Sequence, residues 1–174
     1  MRRTLLSCAL GCVALLVGCS PTFDWREVRP EGSGLVLLLP CKPSVQARRL
    51  QLAGVPTELT LLACQAGDVT WALAYADVAD PSRVGPALRA LRESAAANLG
   101  AAAGDPLPLK VKGATPHAQD ARLALSGKLP DGQPVREQLA VFRKGTRVFQ
   151  ATCVGAHLPA DAVQTFFDGL QTPG

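Results

Sequence analysis

The chain has 174 residues, of which 48% are hydrophobic, 5% aromatic and 18% charged, with a formal net charge of +4 at pH 7. That length suits one ordinary domain with a sizeable core. The charges are spread along the chain, and no block of Lys or Arg marks a nucleic-acid or polybasic membrane site, so a nucleic-acid partner is excluded at this level.

The N-terminus comes first. Met1-Arg2-Arg3 is a short basic start, and residues 5–17 form an apolar run without a charge. A small residue, Gly18, closes the run, which gives the layout of a secretory signal peptide over residues 1–18. The run is shorter than the ~20 residues a helix needs to cross a bilayer. Its last residues, Leu16-Val17-Gly18-Cys19, resemble the lipobox of bacterial lipoproteins. The resemblance implies that the Cys19 thiol receives a diacylglyceryl group, that the chain is cut just before Cys19, and that the new N-terminus is acylated. Cys8 and Cys12 would leave with the signal peptide. Each buried CH₂ contributes about 0.8 kcal/mol of membrane affinity, so two or three chains on one residue make a stable tether. In Gram-negative lipoproteins an Asp after the Cys implies retention in the inner membrane, so by the same resemblance Ser20 implies the periplasmic face of the outer membrane.

Residues 19–34 read as lipid anchor and linker, with Pro21, Pro30, Gly32 and Gly34, and with Trp25 as a packing anchor. A single periplasmic domain is expected over residues 35–174. Residues 35–39 are a continuous apolar run stopped by Pro40, the pattern of a strand buried on both faces. Strands are then expected over 45–52, 57–64 and 69–75, joined by Ala53-Gly54 and Ala66-Gly67-Asp68. In the last of these, Val69, Trp71, Leu73 and Tyr75 alternate with small residues, the mark of one well-packed face. Asp80-Pro81-Ser82 is a helix start, and Val84, Leu88, Leu91, Ala95 and Leu99 fall on one helical face. Residues 104–116 read as a crossover holding a short strand near 109–111. Strands follow over 121–128, 135–143 and 147–154, with turns at Asp131-Gly132 and Lys144-Gly145. A closing helix over 159–170 carries Val163, Phe166, Phe167 and Leu170 at i, i+3, i+4, i+7.

The fold class is therefore α+β: an antiparallel β-sheet of about six to seven strands in two meanders, with two main helices packed on it. This order, with the early strand ending in Pro40 and a terminal helix carrying Phe166-Phe167, resembles the PsbP-like α/β/α sandwich. The resemblance covers roughly residues 35–170 and implies a non-enzymatic binding or assembly role. It carries over no functional residue.

After Cys19, the cysteines Cys41, Cys64 and Cys153 remain. An exported domain is in an oxidising setting that permits a disulfide, but three thiols cannot all pair within one chain. Cys41–Cys64 is the expected pair, at the ends of strands leading from a common edge, with a loop whose closure contributes about 3 kcal/mol. Cys153 is then a buried free thiol. Cys64–Cys153 and Cys41–Cys153 stay open, because spacing does not fix connectivity.

Catalytic and metal signals are thin. The two histidines, His117 and His157, fall in expected loops. His117 and Asp120 are near neighbours, and Ser126-Gly127 lacks a nucleophile elbow. Cys153 and His157 stand four apart, a ligand spacing only on a helix. Cys41 beside Lys42 would be a reactive thiol if unpaired. Trp71 and Tyr75 share a strand face, and Arg48-Arg49 reads as a solvated edge. No catalytic residue, metal or cofactor is expected. The reading is of a lipid-anchored periplasmic envelope protein, a binding or assembly module with an envelope partner. A small envelope hydrolase or thiol-dependent enzyme, and a carrier of a small apolar ligand, are the alternatives.

Overall fold

A computed structural model describes residues 22–102 and 104–173, so Cys19, Ser20 and the expected signal peptide lie outside the described residues. In chain order the elements are β1 (Arg26–Val28), β2 (Leu37–Leu39), β3 (Ser44–Leu52), β4 (Val55–Ala66), β5 (Val69–Asp77), α1 (Pro81–Asn98), β6 (Asp105–Leu107), β7 (Ala121–Lys128), β8 (Pro134–Lys144), β9 (Arg147–Gly155) and α2 (Ala160–Asp168). Strands β3 to β9 form one seven-stranded sheet in the order β3-β4-β5-β9-β8-β7-β6, and every pairing in it is antiparallel. Two meanders, β3–β5 and β6–β9, join where β5 pairs β9 from Val69↔Gly155 to Asp77↔Arg147. The α+β class with two meanders and two helices is thus the observed fold.

Strand alternation divides the core into two layers. On β8, Val135, Leu139 and Val141 enter one cluster, while Ala140 and Phe142 enter the other. The first layer lies under α1, where Val84, Ala87, Leu88, Leu91 and Ala95 form the buried stripe. The start of α1 is fixed locally. Asp80 Oδ1 accepts the Ser82 N–H at 2.8 Å, and Pro81 occupies a position whose N–H has no helical partner. The Ser82 hydroxyl, which donates to the same oxygen at 2.7 Å, and then the Ser82 N–H hold the Asp80 carboxyl below its usual range.

The second layer is aromatic. Trp71, Phe142, Phe149 and Phe166 are all fully buried. The Trp71 and Phe166 rings meet edge-on at 5.3 Å, and Phe142 stacks on Phe149 at 5.0 Å. Such pairs add about 0.5–1.5 kcal/mol each beyond their burial. The layer is closed by α2 and by a separate antiparallel ribbon, β1–β2. Phe23 and Trp25 pack against Trp71 from that side. Cys41, just beyond β2, is disulfide-bonded to Cys64 on β4 with a Cα–Cα distance of 5.9 Å, which fastens the ribbon to the sheet. Among the described residues no helix is long and apolar enough to cross a membrane.

Three expectations change. The stretch assigned to anchor and linker is folded from Thr22 onward: it contains β1, and Trp25 packs against the aromatic core. Its apolar residues have a sheet to cover, which a linker does not. The 35–39 run does not enter the main sheet. Its strand is the three-residue β2, paired only with β1, and the run is buried because it lies between the sheet and α2. The crossover strand is β6 at Asp105–Leu107, not 109–111. Leu109 and Val111 turn their side chains into the aromatic layer instead, and Lys112 bridges Gln171.

Candidate functional site

The most informative feature is a cleft of about 640 Å³ between α2 and the strand that follows the crossover. Val163, Gln164, Phe167 and Asp168 of α2 form one wall, residues 107–110 form the other, and Arg122 and Gln138 lie at its floor. Pockets for small ligands fall at about 300–1,000 Å³. The pairing of β7 with β8 explains the floor. Arg122 sits opposite Ala140 and Ala124 opposite Gln138, so Arg122 and Gln138 are diagonal neighbours on the face that α2 covers.

Arg122 is the unusual member. Its guanidinium lies over the Phe167 ring, 4.0 Å from the centroid, a cation–π contact. Its Nη2 donates to Gln138 Oε1 at 3.0 Å. Its Nε–H is buried and has no acceptor among the described residues. Burial is the main influence on this group and pushes its pKa down, while Cys153 and Asp168 act in the opposite sense. A guanidinium cannot shed its proton in a protein, so the charge stays. Among the described residues its hydrogen bonding to protein is that single contact, and no carboxylate pairs with it. Lys110 adds a second, exposed cation at the rim.

A second hollow, of about 370 Å³, is lined by Glu31, Asp77, Arg83 and Arg147 among others. There the cations are already satisfied. Arg147 donates to the Ser33 carbonyl at 3.0 Å and pairs with Asp77 at 3.4 Å, and Arg83 donates to the Val78 carbonyl and to Thr57 Oγ1, both at 3.1 Å. The Asp77 carboxyl is held low, first by the Ala79 N–H and then by the Thr146 hydroxyl. In that hollow the cations are engaged by protein groups, whereas the Arg122 guanidinium has one protein hydrogen bond among the described residues.

The residues singled out from the sequence lie elsewhere. Cys41 and Cys64 are joined, so neither is a thiol. Cys153 is free and fully buried on β9; its Sγ–H donates to the Gln138 carbonyl at 3.7 Å, and burial pushes the thiol pKa up to about 12. It is therefore a protonated, inert group behind the cleft floor. His117 and Asp120 build a turn: the His117 N–H donates to Asp120 Oδ2 at 2.8 Å, and the Gln119 N–H donates to His117 Nδ1 at 3.0 Å. The ring nitrogen is thus engaged by backbone rather than by the carboxylate, whose pKa burial raises. His157 is exposed after β9, away from any helix shared with Cys153, and Ser126 is exposed on β7. Trp71 is core. Tyr75 is half-buried and its hydroxyl donates to the Glu31 carbonyl at 2.8 Å. Arg48 and Arg49 are exposed on edge strand β3.

Neither Arg122 nor Gln138 belongs to a motif. Alternation gives no signal for Arg122: it shares its face of β7 with Ala124, Ser126 and Lys128, which reads as a solvated face although α2 covers its start. A positional signal does mark Glu137, which stands between Val135 and Leu139 on the α1 face and is only 5% exposed. Burial pushes its carboxyl up to about 7, against a hydrogen bond from Thr152.

Comparison with protein-family models, with curated proteins and with solved structures finds no match to this chain.

Proposed function

We propose that this is a lipid-anchored envelope protein, held by Cys19 on the periplasmic face of the outer membrane, whose domain is a non-enzymatic binding module. The observation that carries the binding role is the Arg122 cleft, an open hollow whose half-buried cation makes no salt bridge among the described residues. The address rests on Leu16-Val17-Gly18-Cys19 and Ser20. The Cys41–Cys64 disulfide supports it, because such bonds persist in oxidising compartments. The layering of helices on both faces of the sheet supports the PsbP-like resemblance and its binding or assembly role.

The position of Thr22 gives the anchor a direction. Its Cγ2 lies 3.4 Å from where a Cβ on Gly67 would stand, at the turn between β4 and β5. The three residues from Cys19 to Thr22 span at most ~10 Å. A lipid on Cys19 would hold the β4–β5 end of the sheet close to the bilayer.

A thiol-dependent enzyme is disfavoured by the state of its candidate residues: Cys41 and Cys64 are bonded and the Cys153 thiol is pushed to about 12. The carrier reading merges with the binding module, since Leu107, Leu109, Val163 and Phe167 give the cleft an apolar part beside its polar groups. Intact-mass analysis of the mature protein tests the address. A chain beginning at a Cys19 that carries diacylglyceryl and acyl mass is expected, with a Cys19→Ser variant released from membranes. An intact Met1, or an unmodified Cys19, would contradict it.

A further inference from the structure

A buried charge is tolerated when it is paired or hydrogen-bonded, and otherwise it is expensive. Acids and lysines escape by changing protonation state, but arginine does not. Arg122 is half-buried, has one hydrogen bond to protein among the described residues and has a buried Nε–H with no acceptor. One face of its guanidinium is taken up by Phe167. The Nε–H is closed off from the cleft, so what is left to a ligand is the terminal amino edge of the planar donor group, in a cleft large enough for a small molecule. A planar carboxylate is the group whose geometry matches a guanidinium edge. The walls above that edge, Leu107, Leu109, Val163 and Phe167, are apolar and match a hydrocarbon or aromatic body. Gln164 and Asp168 sit at the mouth, bonded to each other at 2.7 Å. Asp168 disfavours a highly charged anion, and Lys110 offsets it against a singly charged one.

We propose that the cleft between α2 and β7 binds a small organic acid, its carboxylate on the Arg122 guanidinium and its apolar body against α2 and residues 107–109. This rests on the binding-module reading and names its ligand class. Arg122 is the recognition residue, Phe167 orients it, and Gln138 fixes one of its amino groups.

Hexanoate is a suitable probe, titrated calorimetrically into the purified full chain, with hexanamide and inorganic phosphate as arms. The amide keeps shape and tail without charge; phosphate keeps charge without a tail. Saturable hexanoate binding is expected, at least tenfold tighter than either arm. Arg122→Gln should weaken it at least tenfold. A second variant guards against misfolding: Gln164→Trp changes an exposed helix position, leaves Arg122 in place and fills the mouth, and it too should abolish binding. Equal binding of hexanoate and hexanamide, equal binding of phosphate, no saturable binding, or unchanged binding by a folded Arg122→Gln would each overturn the proposal. None of these outcomes bears on the lipid at Cys19, which mass analysis tests separately.

Discussion

Glu137 and Gln138 are neighbours on β8, yet they look into different layers. Glu137 enters the aliphatic layer under α1, which is closed and buries its carboxyl. Gln138 reaches the aromatic layer under α2, where it meets Arg122 beside an open cleft. Each face thus holds an ionisable group removed from much of its water. The acid adapts by keeping a proton up to about pH 7. The arginine has no such route and remains a cation facing a hollow. The difference shows why the two faces are not equivalent in function. A sealed face turns a stray charge into a titration, and an open face turns it into a binding element.

Substitutions sharpen this contrast, and the largest effect belongs to the aromatic layer. Phe166 touches Trp71 and Phe167 and is fully buried, so Phe166→Ala should lower stability by about 4 kcal/mol in urea unfolding. A loss below 1 kcal/mol would mean that α2 is not part of the folded core. The disulfide comes next. Replacing both Cys41 and Cys64 by Ser opens a loop with a sequence separation of 23 and should cost about 3 kcal/mol, with the β1–β2 ribbon losing hydrogen-exchange protection first.

The aliphatic face makes a pH prediction. Unfolded, Glu137 gives up its proton near 4.5; folded, near 7. Between those values the folded chain holds the extra proton, so stability falls as pH rises through the window and the loss is complete above about 7. A difference of that size corresponds to roughly 3 kcal/mol. Glu137→Gln should flatten the slope and be the more stable protein at pH 8, measured by urea melts across pH 4 to 9. A wild-type profile with no fall in that window would show that the carboxyl stays solvated.

The smallest effect is the most telling for the open face. Arg122→Met gives up the guanidinium contact with Phe167 but keeps an unbranched apolar side chain and removes the unsatisfied Nε–H, so the ligand-free melting temperature should hold or rise by up to about 3 °C. Replacing a residue kept for binding does not weaken the free protein. A fall of several degrees would make Arg122 a structural residue.

Much of the fold is legible in the sequence because its signals are local. Alternation at Val69, Trp71, Leu73 and Tyr75, the cap at Asp80-Pro81 and the spacing of Val163, Phe166, Phe167 and Leu170 each act within a few residues. The long meander strands and α1 follow from them. The β1–β2 ribbon is not legible in this way, because Trp25 and Leu37–Leu39 are defined by a sheet formed from residues that come later in the chain. The cleft is harder still. Arg122, Gln138 and Phe167 are brought together by cross-strand register and by the docking of α2, and no spacing in the sequence encodes either. Only Glu137, a charge between Val135 and Leu139 on an inward face, leaves a trace that alternation alone could reveal.

The most direct measurement is the Arg122 Nε–H resonance in the ¹⁵N-labelled full chain, assigned by its loss in Arg122→Met. On titration with hexanoate it should shift progressively and saturate, and with hexanamide it should stay in place. A resonance unmoved by hexanoate, or moved equally by the amide, would contradict an acid-binding role for this cleft.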